Sequence, residues 1–124
     1  MSMALAFAGL LLAQAAQPAI TVEAPTDTFG IGYRELMAHK PAAAIARIRA
    51  NREIDATDPA AQINLGTAKA RLGDRSAARD HYLTALASRD RCDLELADGR
   101  WMDSRAAARL AIRMLAKNQA LALR

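Results

Sequence analysis

The chain is poor in the residues that build sandwiches, barrels and disulfide frameworks. Its 124 residues include one cysteine, one Trp, two Tyr, two Phe, six Gly and four Pro. A single cysteine excludes an intrachain disulfide and any multi-thiolate zinc or iron–sulfur centre. So few aromatics argue against an all-β domain, which needs many ring and β-branched side chains. No apolar run approaches the roughly 20 residues that span a bilayer core. What the sequence has instead is alanine, by a wide margin its commonest residue. Alanine has the best helix propensity, and its small side chain lets helix axes approach closely. The length suits one domain. Seventeen basic against thirteen acidic residues give +4, and most of the basic ones are arginine. That bias permits an acidic partner without requiring one.

Residues 1–15 carry no charged side chain and hold an apolar run from Ala4 to Ala13. Ala13-Gln14-Ala15 supplies the small-x-small step of a signal peptidase site, so cleavage after Ala15 and export to the cell envelope, with a periplasmic location, are expected. Residues 16–27 contain Pro18 and Pro25 and no helical period, which predicts an extended linker outside the core. Cys92 is expected to be a half-buried small hydrophobe.

The most informative stretch begins at Asp58-Pro59, an N-cap followed by proline at the first helical position. Ile63, Leu65, Ala68 and Leu72 recur at helical spacing, and Leu72-Gly73-Asp74 ends the helix. Ala77, Ala78, Tyr82, Ala85 and Leu86 restore the period, predicting a helical hairpin. Sliding the sequence along itself until Ile31-Gly32 lies over Leu65-Gly66 also places Ala43-Ala44 over Ala77-Ala78, and Ile48 over Tyr82. Phe29–Ala38 and Pro41–Arg52 are then the helices of a weaker first hairpin, so residues 28–88 read as two hairpins.

Asn64-Leu65-Gly66, Leu72-Gly73-Asp74, Ala77-Ala78, Tyr82 and Ala85-Leu86 fall at spacings that resemble a tetratricopeptide repeat (TPR), and the offset between Ile31 and Leu65 is that family's repeat length. The resemblance implies an all-α, short α-solenoid whose first helices line a concave surface that binds a protein or peptide. It places Asn64, Thr67 and Arg71 on that surface from the second hairpin, with Phe29, Tyr33 and Met37 as counterparts from the first. It also implies that Gly66 and Ala78 lie where the paired helices touch, while Tyr82 and Ala85 pack toward the neighbouring unit. Asn64 matches an asparagine that some members use on a peptide backbone or terminal carboxylate. The lysines that complete such a carboxylate clamp have no match.

Residues 89–103 break the helical pattern. Cys92, Leu94 and Leu96 alternate with Asp93 and Glu95, and Asp98-Gly99 is a hairpin-turn pair, predicting a short β-hairpin or structured turn. Trp101 is expected to fold onto the helical core. Asp103-Ser104 caps a final helix from Arg105 to about Ala122, within the segment 104–124, which would cap the solenoid. Arg105, Arg109, Arg113 and Lys117 stand at i, i+4 spacing along one face of it.

Little in the sequence carries chemistry. Gly30-Ile31-Gly32 lacks the third glycine and preceding strand of a dinucleotide fingerprint. His39 and His81 are far apart, and the acidic residues near Asp98-Gly99 are out of register for a calcium loop. No nucleophile elbow or catalytic carboxylate pair is evident. The expectation is a non-enzymatic, cofactor-free and metal-free adaptor for a protein or peptide, monomeric or a homodimer. Two alternatives use other features. The basic stripe could hold anionic lipid or polysaccharide. The segment 70–82 could form a helix-turn-helix for DNA, although Asp74 and Asp80 would then face phosphates and a signal peptide would remove the chain from nucleic acid.

Overall fold

A computed structural model describes residues 20–23 and 30–122. In chain order these form β1 (Val22–Glu23), α1 (Tyr33–Met37), α2 (Pro41–Ala50), α3 (Pro59–Arg71), α4 (Arg75–Ala87), β2 (Asp93–Leu96), β3 (Trp101–Asp103) and α5 (Ser104–Ala122). The described residues are mostly helical, with packed helices and one small antiparallel sheet among them. The expected signal peptide lies outside the described residues, as does Phe29. Among the described residues no helix is long and apolar enough to cross a membrane.

Local chemistry sets the helix ends. Asp58 accepts from the Ala61 N–H at 2.9 Å, and Pro59 opens α3. Asp74 does the same for α4, accepting from Ala77 N–H at 3.1 Å. Each satisfies a donor that the first turn leaves without a helical partner. Asp103 accepts from both Arg105 and Ala106 at the start of α5. Between α3 and α4, Gly73 takes φ 85°, the Gly73 N–H reaches Ala70 O and the Asp74 N–H reaches Lys69 O. This pair of bonds is a Schellman closure, which needs a left-handed residue.

The same turn joins α1 to α2, at the position the internal alignment assigns to it. His39 takes φ 59°, its N–H reaches Leu36 O, and the Lys40 N–H reaches Glu35 O. A histidine therefore occupies the conformation that glycine holds in the second hairpin, with a penalty at Cβ. The close helix contacts repeat as well. A Cβ added to Gly66 would lie 2.4 Å from the Tyr82 ring and 3.0 Å from Ala78 O. A Cβ added to Gly32 would lie 3.0 Å from Ile48 and 3.1 Å from Ala44. Gly66, Ala78 and Tyr82 thus occupy the same relation as Gly32, Ala44 and Ile48. Tyr82 turns its ring onto Gly66 inside its own hairpin, whereas the family pattern directs it toward a neighbour.

The first hairpin departs from expectation at its start. Its first helix is Tyr33–Met37 rather than Phe29–Ala38, because Gly32 takes φ 73° where Gly66 is helical. α2 stops at Ala50, short of the expected Arg52. α3 is the centre of the molecule. Pro59, Ala60, Ala61 and every residue from Ile63 to Ala68 are buried on it. It packs against α4, α2, α1, α5 and β1, and α4 in turn packs on α5.

β2 and β3 form the expected hairpin, pairing Asp93 with Asp103, Leu94 with Met102 and Glu95 with Trp101, and Gly99 in the turn has φ 86°. Three expectations are corrected here. Residues 20–22, assigned to a linker outside the core, are part of it: Val22 is fully buried and Ile20 is 6% exposed. Val22 and Glu23 add an edge strand to β2, opposite Leu96 and Glu95. Trp101 stays 57% exposed instead of lying on the helices, because the pleat turns Leu94 and Leu96 inward and leaves its position on the outer side. Cys92 is exposed, and its backbone pairs with Ser104 through Cys92 N–H to Oγ and Ser104 N–H to Cys92 O.

Candidate functional site

Asn64 projects from the middle of α3 on the face turned toward β1. Its Oδ1 accepts from the Val22 N–H at 2.9 Å, and its Nδ2 donates to Val22 O at 2.8 Å and to Ile31 O at 2.8 Å. One carboxamide therefore holds both backbone groups of one extended residue. Its second N–H anchors the turn before α1. The residue is fully buried, where each of these groups would be expensive to leave unpaired.

Thr67 stands one turn along on the same face. Its hydroxyl donates to the Ile20 carbonyl, so the Tyr82 hydroxyl, 3.0 Å away, must donate to Thr67 Oγ1. Burial raises the Tyr82 hydroxyl above its ordinary pKa of 10, and it stays neutral at physiological pH. Asn64 and Thr67 have the i, i+3 spacing that lets one helix face meet alternate residues of a strand. The face of α3 acts as one edge of a two-edged cleft. On the other edge the Ala97 N–H bonds to Thr21 O at 3.1 Å, beside the β1–β2 pairing. Both recognising side chains are neutral, and the strand they hold contributes Ile20 and Val22 to the hydrophobic core.

Arg71 ends the row at the last turn of α3, where its guanidinium donates to Leu36 O at 2.7 Å and ties α3 to the C-terminus of α1. Tyr33 is half-buried, and Met37 is 48% exposed beyond it. Thus Asn64 and Thr67 sit together in the cleft, Arg71 braces the neighbouring helix, and Tyr33 and Met37 lie on α1. The open concave groove expected from Asn64 and Thr67 is corrected: the chain's own residues 20–22 fill it. The missing signal was β1 itself. Two strand residues carry no periodicity, and Ile20-Thr21-Val22 reads as aliphatic alternation too short to identify alone.

The basic stripe is divided. Arg109, Arg113 and Lys117 are exposed along α5, but Arg105 is half-buried and donates to Ser88 O at 3.4 Å, at the end of α4. His81 is half-buried, its Nδ1 2.8 Å from Gln62 Oε1; burial, helped by Lys69 and Arg49, holds its pKa below the ordinary 6.5. Among the described residues no group of three or more His, Cys, Asp and Glu side chains converges. Compared with protein-family models, curated proteins and solved structures, the chain matches none.

Proposed function

We propose that the chain is a non-enzymatic protein- or peptide-binding adaptor of TPR-like construction that grips the backbone of an extended segment across α3. The observation that carries this reading is the pairing of the Asn64 carboxamide with both the N–H and the C=O of Val22. A side chain that reads main-chain groups accepts many sequences, and the flanking apolar surface then selects among them. The repeat construction is supported by the equivalent turns at His39 and Gly73 and the equivalent close contacts at Gly32 and Gly66, each pair set apart by the same offset. Export to the envelope belongs to the same proposal and rests on the apolar, uncharged N-terminus.

Panning a displayed random-peptide library on the full-length chain tests the binding role. Selected peptides should bear apolar residues at alternate positions and bind equally well at about 1 M salt, where the Debye length is about 3 Å. Their binding should disappear in Asn64→Ala, or in the milder Thr67→Val, in a variant that still melts cooperatively. Selection of nothing, or binding indifferent to both substitutions, would reject the reading. Binding that collapses with salt and with Arg109→Ala/Arg113→Ala would move the function to the exposed stripe on α5.

A further inference from the structure

β1 is joined to the rest of the fold in the manner of a bound ligand. It is two residues long and packs on β2 and α3, while α2, α3, α4 and α5 pack on one another without it. The hydrogen bonds of residues 20–22 reach far along the chain: Val22 to Asn64 spans 42 residues and Ile20 to Thr67 spans 47. The strand is held on both edges, by Ala97 and β2 on one side and by Asn64 and Thr67 on the other. Ile20 and Val22 both point into the core, whereas the helix-facing contacts to the strand are made to its backbone.

We infer that the cleft between β2 and α3 is a strand-acceptor site, closed in cis by residues 20–22, and that its partner is a protein segment of the same chemistry. That segment is an extended stretch with branched aliphatic residues at two alternate positions and no charge between them. The inference deepens the peptide-binding reading and rests on it. The occupant in place defines the chemistry. Main-chain pairing to Asn64, Thr67 and β2 is available to any strand, while the pockets of Ile20 and Val22 demand aliphatic side chains. Because the cleft is filled, an incoming segment must compete with a tethered copy, and its apparent affinity is the intrinsic one reduced by the small fraction of open sites. Local opening of one short strand supplies those open sites without unfolding the helices.

The probe is a fluorescent peptide with the sequence of residues 17–26, titrated into the full chain by anisotropy. Val22→Asp places a carboxylate where no water reaches and should expel β1. If that variant retains its helical circular dichroism, the peptide should bind it at least about ten-fold tighter than wild type, following the rise in open sites. Adding Asn64→Ala should abolish the gain. Equal binding to wild type and to folded Val22→Asp overturns the proposal. The broader peptide-binding reading then survives if library peptides still bind in an Asn64-dependent way.

Should Val22→Asp unfold, a reversible lock decides instead. Glu23 and Glu95 are Cα partners across β1 and β2, and such pairs lie about 5.5 Å apart, within disulfide range. Glu23→Cys/Glu95→Cys in a Cys92→Ser background should bind a library-selected peptide when reduced and at least about ten-fold more weakly when oxidised. Binding indifferent to the lock overturns the proposal. So does an intermolecular disulfide formed by a dimer, which would make the occupant a second copy of this chain.

Discussion

At the residue scale, one side chain joins three segments. Asn64 on α3 serves Val22 from β1 and Ile31 from the turn before α1. Asn64→Leu keeps the bulk but leaves Val22 N–H, Val22 O and Ile31 O unpaired in the interior, so it should cost about 3 kcal/mol. A urea titration followed by circular dichroism measures that loss directly. His81 predicts a pH dependence of definite sign. Its folded pKa lies below 6.5, so in the window between the two values the unfolded chain binds the proton more readily. Its contribution to stability is present above pH 6.5 and is lost as the pH falls through the lower folded value. His81→Gln should flatten the decline in the urea midpoint between neutral and mildly acidic pH; an unchanged slope would assign the decline to other groups.

At the scale of elements, the two hairpins solve one geometric problem with different residues. His39 holds a left-handed turn that Gly73 holds without strain. His39→Gly should therefore stabilise the chain by about 1 kcal/mol, read as a raised thermal midpoint. The opposite holds at Gly66. Alanine is the better helix former, yet a Cβ there would meet the Tyr82 ring at 2.4 Å and Ala78 O at 3.0 Å. Overpacking of that kind costs about 2 kcal/mol, so Gly66→Ala should lower the midpoint despite the gain in propensity. A Gly66→Ala/Tyr82→Leu double variant should recover part of the loss, because the flexible leucine can yield where the ring cannot.

At the scale of the whole molecule, the two hairpins are completed from both ends of the described chain. α5 buries Ala107, Ala108 and Ala111 against the helical body, and β2 adds Leu94 and Leu96. Residues 20–22 close the cleft between β2 and α3. Helical repeats bury too little surface in isolation and depend on neighbours or caps. A chain ending at Ser88 loses α5 and β2, and with β2 one edge of the cleft. It should lack the cooperative thermal transition of the full chain, as scanning calorimetry would record. A cooperative transition retained by that truncation would show that the two hairpins stand alone.

The features that local chemistry controls are legible in the chain alone. Asp58-Pro59 and Asp74 cap helices, Gly73 closes one, Asp98-Gly99 turns a hairpin, and the internal alignment relates Gly32 to Gly66. In each cap and turn the partners lie within about one helical turn of each other, so their spacing is written in the chain. The short first helix was less legible, because Gly32 could be helical like Gly66 until Ile31 O was required by Asn64. What fills the cleft depends on contacts between distant parts of the chain. An asparagine on the inner face of a helix reads the same whether it awaits a partner or holds its own chain, and Asn64 and Val22 are 42 residues apart. Burial of Ile20 and Val22 and the removal of Arg105 from the basic stripe are consequences of longer-range closure, whose partners no local pattern can specify.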